Sequence, residues 1–235
     1  MKKVAILQSN YIPWKGYFDL IAAVDEFILY DDMQFTVRDW RNRNRVKSPN
    51  GTEWLTVPVG NDRNRRIRDV EIRDAHWQEK HWKTLECNYR RSPYYAEVAT
   101  RIEPYYRQRK YSHLSALNRD LIEFVCAFLG ITTKISASWD YKLADGKSER
   151  LADLCAQSGA SEYVSGPAAR EYLEGEVFAS RNIKVSWFDY AGYPEYHQLW
   201  GPFEHGVSIL DLLFNCGAAS PRYMKHVKQT AAAAA

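Results

Sequence analysis

The chain has 235 residues, of which 46% are apolar, and its formal net charge is +3. This is enough to bury a core in one large domain or two small ones, which excludes a largely disordered chain. No apolar run reaches the roughly 18 to 20 residues of a membrane span, and the apolar start at residues 4–7 is too short for a signal peptide. We therefore predict a cytoplasmic protein with no membrane span.

The four cysteines are widely spaced and form no Cys-x-x-Cys pair: Cys87, Cys126, Cys155 and Cys216. Close pairs are typical of zinc sites, and dense cysteines are typical of secreted disulfide frameworks. The sequence has neither feature. We predict buried free thiols, no disulfide and no metal site.

The first 30 residues predict a βαβ unit. Residues 3–8 are an apolar run typical of a parallel strand, Pro13 suits the first turn of a helix, and residues 26–30 are a second strand. Between the strands, apolar residues recur on one helix face: Trp14, Phe18, Ile21 and Val24. Because such crossovers are right-handed, we expect a parallel sheet whose ligands bind at the carboxyl ends of the strands.

The middle of the chain interrupts this alternation. Pro49-Asn50-Gly51 is a turn signal between strand-like segments at 43–47 and 53–57, and it predicts an inserted β-hairpin. An arginine-rich loop at 61–68 and a strand near 70–72 follow. Three helices are predicted next, at residues 77–89, 94–109 and 114–129, the last ending at Gly130.

The alternation of strands and helices then resumes. Strands are predicted at 134–136, 163–164 and 184–188, and helices at 148–157, 168–173 and 208–214. The pattern predicts an α/β fold, a Rossmann-like parallel sheet of about five strands with a hairpin and helical insertion at about 36–130. We assign residues 1–230 to one domain and exclude the compositionally blank alanine run at 231–235.

The turn after the first strand places polar side chains at a helix start, where backbone N–H groups favour an anion. It lacks Gly-x-Gly-x-x-Gly, the dinucleotide fingerprint. The turn is similar to a degraded His-x-Gly-His nucleotidyltransferase signature, with Trp14 or Lys15 and Tyr17 in place of the histidines. That likeness implies activation of an acyl group by ATP with Mg²⁺ beside Gln8, Tyr11 and Lys15. Lys15 can face the sheet edge or solvent there, offsetting phosphate charge.

Two adjacent carboxylates, Asp31 and Asp32, follow the second predicted strand. Such a pair can bind a sugar hydroxyl, hold a magnesium ion or position an amine. Aspartates at a strand end also commonly cap the following turn, and this alternative stays open.

Basic residues then alternate along the first hairpin strand, with Arg41, Arg43, Arg45 and Lys47 predicted on one face and Asn42, Asn44 and Val46 on the other. A row of guanidinium groups can clamp a diphosphate. The alternative is an edge strand that its charges protect from pairing with other chains.

Charge is concentrated in one segment. Residues 38–73 carry ten basic and five acidic side chains, a balance of +5, so the rest of the chain totals −2. This indicates an anionic partner, either a phosphorylated small molecule or nucleic acid. The acids interleaved with the arginines, and a pI near 8.5, make nucleic acid the less favoured alternative.

Three further places carry candidate residues. His81 lies in a tryptophan-rich helix and is either a general base or a packed histidine. Ser165 and Gly166 link a strand to a helix, so Ser165 is either a helix cap or a phosphate ligand. The tyrosine-rich loop with Tyr190, Tyr196 and Gln198 either stacks on a ring of the substrate or packs against the fold.

Taken together, these segments resemble the WbqC-like family, bacterial proteins whose genes accompany amino-sugar and O-antigen biosynthesis. The most specific blocks are Gln-Ser-Asn-Tyr-Ile-Pro-Trp-Lys-Gly-Tyr-Phe at 8–18, Tyr-Asp-Asp-Met-Gln-Phe at 30–35 and Trp-Arg-Asn-Arg-Asn at 40–44. Further matching segments are 54–59, 165–169, 190–198, Phe203 and 208–211.

The resemblance implies a transferase or ligase that attaches an aminoacyl or acyl group to the amine of a nucleotide-linked amino sugar. We expect the diphosphate at Arg41, Arg43 and Lys47. We expect rings at Tyr11, Trp14 and the tyrosine-rich loop, and the sugar at Asp31, Asp32, Gln34 and Asn42. Catalytic roles are predicted for His81, Lys15 and Asp32. A non-catalytic protein that binds sugar nucleotides remains a further alternative.

Overall fold

The computed structural model describes residues 1–74 and 76–229. Its strands, in chain order, are β1 (Lys3–Leu7), β2 (Glu26–Leu29), β3 (Arg43–Ser48), β4 (Gly51–Thr56), β5 (Lys134–Ala137), β6 (Glu162–Ser165) and β7 (Lys184–Trp187). Its α-helices are α1 (Lys15–Ala22), α2 (Trp77–Tyr89), α3 (Tyr95–Arg107), α4 (Leu114–Leu129), α5 (Ser148–Gln157), α6 (Gly175–Ala179) and α7 (Ile209–Cys216).

Five strands form one parallel sheet in the order β5-β2-β1-β6-β7. The first strand lies at the centre, and the winding direction reverses between β1 and β6. This is the doubly wound order, in which the crevice between the two central strands is the usual ligand site. The predicted α/β class and the five-stranded parallel sheet are confirmed.

The predicted hairpin is also present. Strands β3 and β4 pair antiparallel, with Ser48 opposite Gly51, and Gly51 has a φ of +111°. The Asn50 N–H donates to the Ser48 hydroxyl at 3.3 Å, which closes the turn. The hairpin and helices α2 to α4 lie in the chain between β2 and β5.

Alternation along β1 shows that the sheet is covered on both faces. Ala5 belongs to the large core shared with α1, α4 and α7, and Leu7 packs against it, whereas Val4 and Ile6 belong to a second core. That second core contains residues of α5 and α6. Because successive side chains point to opposite faces of a strand, each face of the sheet has its own layer of helices.

Two predicted elements are wrong. Residues 70–72 form a single antiparallel bridge, Glu71 opposite His113, and not a strand; the Ile72 N–H donates to the Ser112 carbonyl and the Leu114 N–H donates to the Val70 carbonyl. The helix predicted at 168–173 is a 3-10 turn over Pro167–Glu171. It ends at Glu171, the Glu174 N–H then donates to the Ser148 hydroxyl of α5, and α6 begins at Gly175.

Smaller details also differ from the predictions. Pro13 lies before helix α1, which begins at Lys15 with Trp14 at its N-cap. Ser165 is not a helix cap, since Gly166 flanks the 3-10 turn and no side chain caps it within the described residues. Cys126, Cys155 and Cys216 are buried free thiols as predicted, but Cys87 is exposed. The alanine run at 231–235, which we exclude from the predicted domain, lies outside the described residues.

No helix in the described part of the chain is long and apolar enough to cross a membrane.

Glu26 ties three strands together at the amino-terminal edge of the sheet. Its carboxylate accepts hydrogen bonds from Lys2, Ser136 and Tyr141 and is also paired with Lys134. Burial opposes ionisation, but these hydrogen bonds outweigh it and lower the pKa of Glu26 from 4.5 to about 2.

We expect Glu26→Gln to lower the free energy of unfolding by ~3 kcal/mol at pH 7, the value of the shift in pKa. Because the ionised form is favoured in the folded state, this difference is complete above pH 4.5 and is lost as the pH falls toward 2. Urea titrations of both proteins between pH 7 and pH 3 measure it. Glu97→Gln, which breaks an exposed pair with Arg101, is the control and should change little. A constant difference across this range would contradict the assignment.

Candidate functional site

The carboxyl ends of the parallel strands gather several predicted residues. Gln8 follows β1, Asp31 lies two residues after β2, Ser165 ends β6 and Asp189 lies two residues after β7. Since these strands are parallel and adjacent, all four residues lie at one edge of the sheet, as predicted.

A cavity of about 640 Å³ opens at the point where the winding reverses, between the ends of β1 and β6. We call it the switch-point cavity. Its lining includes Gln8, Ser165 and Gly166 from the predicted set, with Tyr30. Its volume is in the range of small-molecule sites, and its position is the one at which doubly wound sheets bind ligands.

The start of helix α5 contributes the charge of this cavity. Lys147 and Arg150 line it, and no acidic residue does. Lys147 is exposed and its ammonium has no partner among the described residues, whereas the Arg150 Nε donates to the Ala144 carbonyl at 2.7 Å. No side chain in the described chain caps the start of α5. The two basic side chains and the helix start favour an anion here, although the Glu149 carboxylate in the first turn of α5 lies against Gly146 of the lining.

Lys147 and Arg150 are not among the site residues predicted from the sequence. The available signal was Gly146-Lys147-Ser148 at the start of a predicted helix, after a strand that belongs to the same sheet. Periodicity places these residues on a helix, but it cannot show that α5 packs beside β1, because that depends on the order of the strands.

The turn between β1 and α1 is strained and is held from the hairpin. Ile12 has a φ of +38°, an unusual conformation for a β-branched residue. The Asn44 side chain on β3 donates to the carbonyls of Tyr11 and Ile12, at 3.1 and 2.8 Å. The Tyr11 N–H also donates to the Trp40 carbonyl at 3.0 Å. The hairpin therefore determines where Gln8 and Trp14, on either side of the turn, are presented.

An aromatic group connects this turn with the end of β6. The Trp14 ring packs against Tyr190 and Tyr193, at centroid distances of 5.6 and 5.7 Å. A Cβ atom on Gly16 would overlap the Trp14 ring, so this position requires glycine. Tyr190 in turn lies beside Gly166, at the rim of the switch-point cavity. The structure thus brings Trp14 and Tyr190 next to the Gln8, Ser165 and Gly166 group.

Asp31 and Asp32 both have partners within the chain. Asp31 accepts from the Ser9 N–H and from the Ser115 hydroxyl, at 2.8 and 2.5 Å, and burial raises its pKa. Asp32 accepts from the Ser138 hydroxyl at 2.7 Å and pairs with Arg68 at 3.0 Å. Internal contacts therefore already use these carboxylate oxygens. The predicted roles of Asp31 and Asp32 at a sugar or a magnesium ion remain predictions.

The predicted row of cations on the hairpin does not converge on one point. Arg41 donates to the Asn10 side chain, Arg43 to the Arg38 carbonyl and Lys47 to the Pro202 carbonyl. Lys47 is only 3% exposed, so a fully solvated edge strand does not describe this face. A single diphosphate clamp formed by these three residues remains a prediction.

The other predicted binding residues lie apart from the switch-point cavity. Gln34 donates to the Arg63 carbonyl at 3.1 Å. Tyr196 donates to the buried Asp211 at 2.8 Å, and Gln198 donates to the Tyr196 hydroxyl at 3.2 Å. Tyr196 and Gln198 thus form part of the packing around α7.

Lys15 is buried, so the expectation that it could face solvent is wrong. It is 3% exposed, donates to the Pro194 carbonyl at 2.8 Å, and lies 5.2 to 5.6 Å from three aromatic rings, those of Tyr193, Tyr196 and Phe203. Burial lowers its pKa to about 8. Lys15 therefore fastens the tyrosine-rich loop to helix α1.

We expect Lys15→Ala to lower the free energy of unfolding by ~2 to 3 kcal/mol, because it removes buried stem packing and the contacts with the rings. Lys15→Met keeps the apolar stem and should lose about half as much. Denaturant titration of the three proteins measures the effect. An alanine variant of unchanged stability that lost ATP-dependent turnover would instead support the predicted phosphate role.

His81 lies in a buried hydrogen-bonded group with Tyr11 and Tyr106. Its Nε2 is 3.2 Å from the Thr56 carbonyl and its Nδ1 is 2.8 Å from the Tyr11 hydroxyl, which also bonds Tyr106. A carbonyl only accepts, so Nε2 carries the proton and Tyr11 donates to Nδ1. Burial lowers the pKa of His81 to about 4. His81 does not line the switch-point cavity, and its role as a base remains a prediction.

The wild-type protein should lose up to ~3 kcal/mol of stability through His81 as the pH falls from 6.5 to 4, because the unfolded chain binds this proton first. His81→Asn should remove that acid-side loss. Unfolding free energies at several pH values measure the difference. A variant of unchanged pH dependence that had lost turnover at pH 7 would favour the catalytic role.

Comparisons with known proteins identify the family of this chain. The model of the WbqC-like protein family matches residues 8–223. The chain is 56% identical, over 231 residues, to the "Uncharacterized protein Rv1507c" of Mycobacterium tuberculosis (strain ATCC 25618 / H37Rv). That alignment covers 97% of this chain and 100% of the relative. No solved structure matches. The chain belongs to the WbqC-like family.

Proposed function

We propose that this protein is a transferase or ligase that binds a nucleotide-linked amino sugar in the switch-point cavity and forms an amide on the sugar nitrogen. The observation that carries the proposal is the cavity itself. It lies at the winding reversal of a doubly wound sheet, with Lys147 and Arg150 in its lining and no acidic side chain.

The chemistry of the lining fits a sugar nucleotide. The diphosphate would lie at the start of α5, where Lys147 and Arg150 supply positive charge. The free amide of Gln8 and the hydroxyl of Ser165 would bond sugar hydroxyls or the amine. Apolar side chains such as Met33 and Leu151 would cover the faces of the rings.

Amide formation also needs an activated acyl or aminoacyl group. ATP with Mg²⁺ would supply it by forming a good leaving group at the acyl carbon. The same two basic residues would fit the phosphates of ATP only in an activation step that precedes binding of the sugar nucleotide, because one pair of cations cannot hold both phosphate chains at once. The chain's own residues then hold and orient the amine beside the acyl carbonyl.

A mass-shift screen tests the reaction. Purified protein is incubated with nucleotide-linked amino sugars, amino acids or acyl donors, with and without ATP and Mg²⁺, and products are detected by mass spectrometry. We expect a product heavier by one acyl or aminoacyl group. Tight binding of a sugar nucleotide without product under any condition would favour the binding-only alternative.

Lys147→Ala tests the site. Because the side chain is exposed and unpartnered, the variant should fold normally and bind UDP-glucosamine roughly tenfold more weakly, the value of one charge-assisted contact. Isothermal titration calorimetry measures the affinity. Lys142→Ala, at an exposed lysine outside the cavity lining, is the matched control and should bind as the wild type does. Equal affinities of the two variants would contradict this placement of the diphosphate.

A further inference from the structure

A second cavity, also of about 640 Å³, lies in the insertion between the hairpin and the loop that follows it. We call it the insertion cavity. Arg38, Arg43 and Arg63 line it, and no acidic residue does. Phe35 and Val57 are among its apolar lining residues. Three guanidinium groups make this concave surface positive, although Arg43 also interacts with the Asp39 carboxylate outside the lining.

Two buried polar atoms in this lining have no hydrogen-bond partner among the described residues. Asn42 is 6% exposed, and its Nδ2 donates to the Val57 carbonyl at 2.9 Å. A carbonyl only accepts, so this bond fixes the amide orientation and leaves Oδ1 as the unpartnered atom. The Nε of Arg43 is likewise buried without a partner. Such atoms are costly in a folded protein, and both have less than 1 Å² of accessible surface, so a small shift of neighbouring side chains must accompany any bond from a ligand.

The remaining arginines are not needed to hold the fold. Arg38 and Arg63 are exposed, and their guanidinium groups have no partners in the described residues. Arg43, by contrast, stacks on Trp54 at 4.1 Å, which fixes its position at the cavity. The cavity therefore combines one fixed guanidinium group with two that are free to close on a ligand.

We infer that the insertion cavity binds a small anion, a phosphate or carboxylate group with an O–H or N–H donor beside it. The anion bonds the guanidinium groups of Arg38, Arg43 and Arg63, including the Nε of Arg43. The neighbouring donor bonds the Oδ1 of Asn42. One ligand of this kind satisfies both unpartnered atoms.

The two cavities are neighbours along the chain. Met33 lines the switch-point cavity and Phe35 lines the insertion cavity, so their Cα atoms are at most ~7 Å apart. In the proposed transferase the insertion cavity would hold the second substrate, the acyl or aminoacyl donor. That role rests on the proposed function, whereas anion binding does not.

Calorimetry with simple probes tests the inference. Inorganic phosphate and lactate are titrated into the full chain, and both should bind. Arg63→Gln and Arg38→Gln should each weaken binding about tenfold without changing the melting temperature. Arg91→Gln, at an exposed arginine outside the lining, is the control and should have no effect. The stronger of the two probes indicates whether the natural group is a phosphate or a carboxylate.

A second comparison tests Asn42. Lactate carries a hydroxyl beside its carboxylate and propionate does not, so lactate should bind several-fold more tightly. Asn42→Ala should abolish this preference, with folding verified by the melting temperature. Equal affinities of the wild type for lactate and propionate would overturn the role of Asn42.

Saturating UDP-glucosamine distinguishes the two cavities. Phosphate should still bind in its presence, with the same sensitivity to Arg63→Gln. Phosphate binding that UDP-glucosamine abolishes, or that both arginine variants leave unchanged, would overturn the inference. If UDP-glucosamine fails to bind while phosphate binding depends on Arg63, the proposed function fails and the inference stands.

Discussion

The bond from Asn44 to the turn after β1 is the contact on which the site depends. The left-handed conformation of Ile12 costs on the order of 1 to 3 kcal/mol and persists only where its surroundings enforce it. Two hydrogen bonds from Asn44 enforce it here. Since the turn carries Gln8 to the switch-point cavity and Trp14 to Tyr190, the geometry of the sheet edge depends on a residue of the inserted hairpin.

The same contact explains why asparagine alternates with arginine in the Trp-Arg-Asn-Arg-Asn segment. Its asparagines point inward, where Asn44 holds the turn and Asn42 lines the insertion cavity. Its arginines make different contacts: Arg41 donates to Asn10, and Arg43 stacks on Trp54 and, like Asn42, lines the insertion cavity. The amides of Asn42 and Asn44 hold backbone carbonyls, but Asn42 and Arg43 both line the insertion cavity, so the predicted period of two separates their tasks only in part.

Local patterns predicted the elements well because their causes are local. The periodicity of α2, α4 and α5 and the turn signal of the hairpin depend on neighbouring residues, and the bounds of these helices match the predicted ones. The burial of Lys15 was not predictable, since the rings that enclose it belong to a loop nearly 180 residues away. The basic lining from α5 was missed for the same reason, because only the strand order brings it beside β1.

The count of charges in the basic segment is therefore a poor guide to the site, and the partners of each charge are a better one. Arg68 pairs with Asp32, and Lys47 is bonded to a backbone carbonyl, so both stabilise the fold. Lys147 and Arg63 have no such partners within the described residues, and each borders a cavity without acids. A cation that makes no contact within the fold and lies beside a concave surface remains available to bind an anion. Such cations border both cavities, and the proposed transferase would need a place for each of its two substrates.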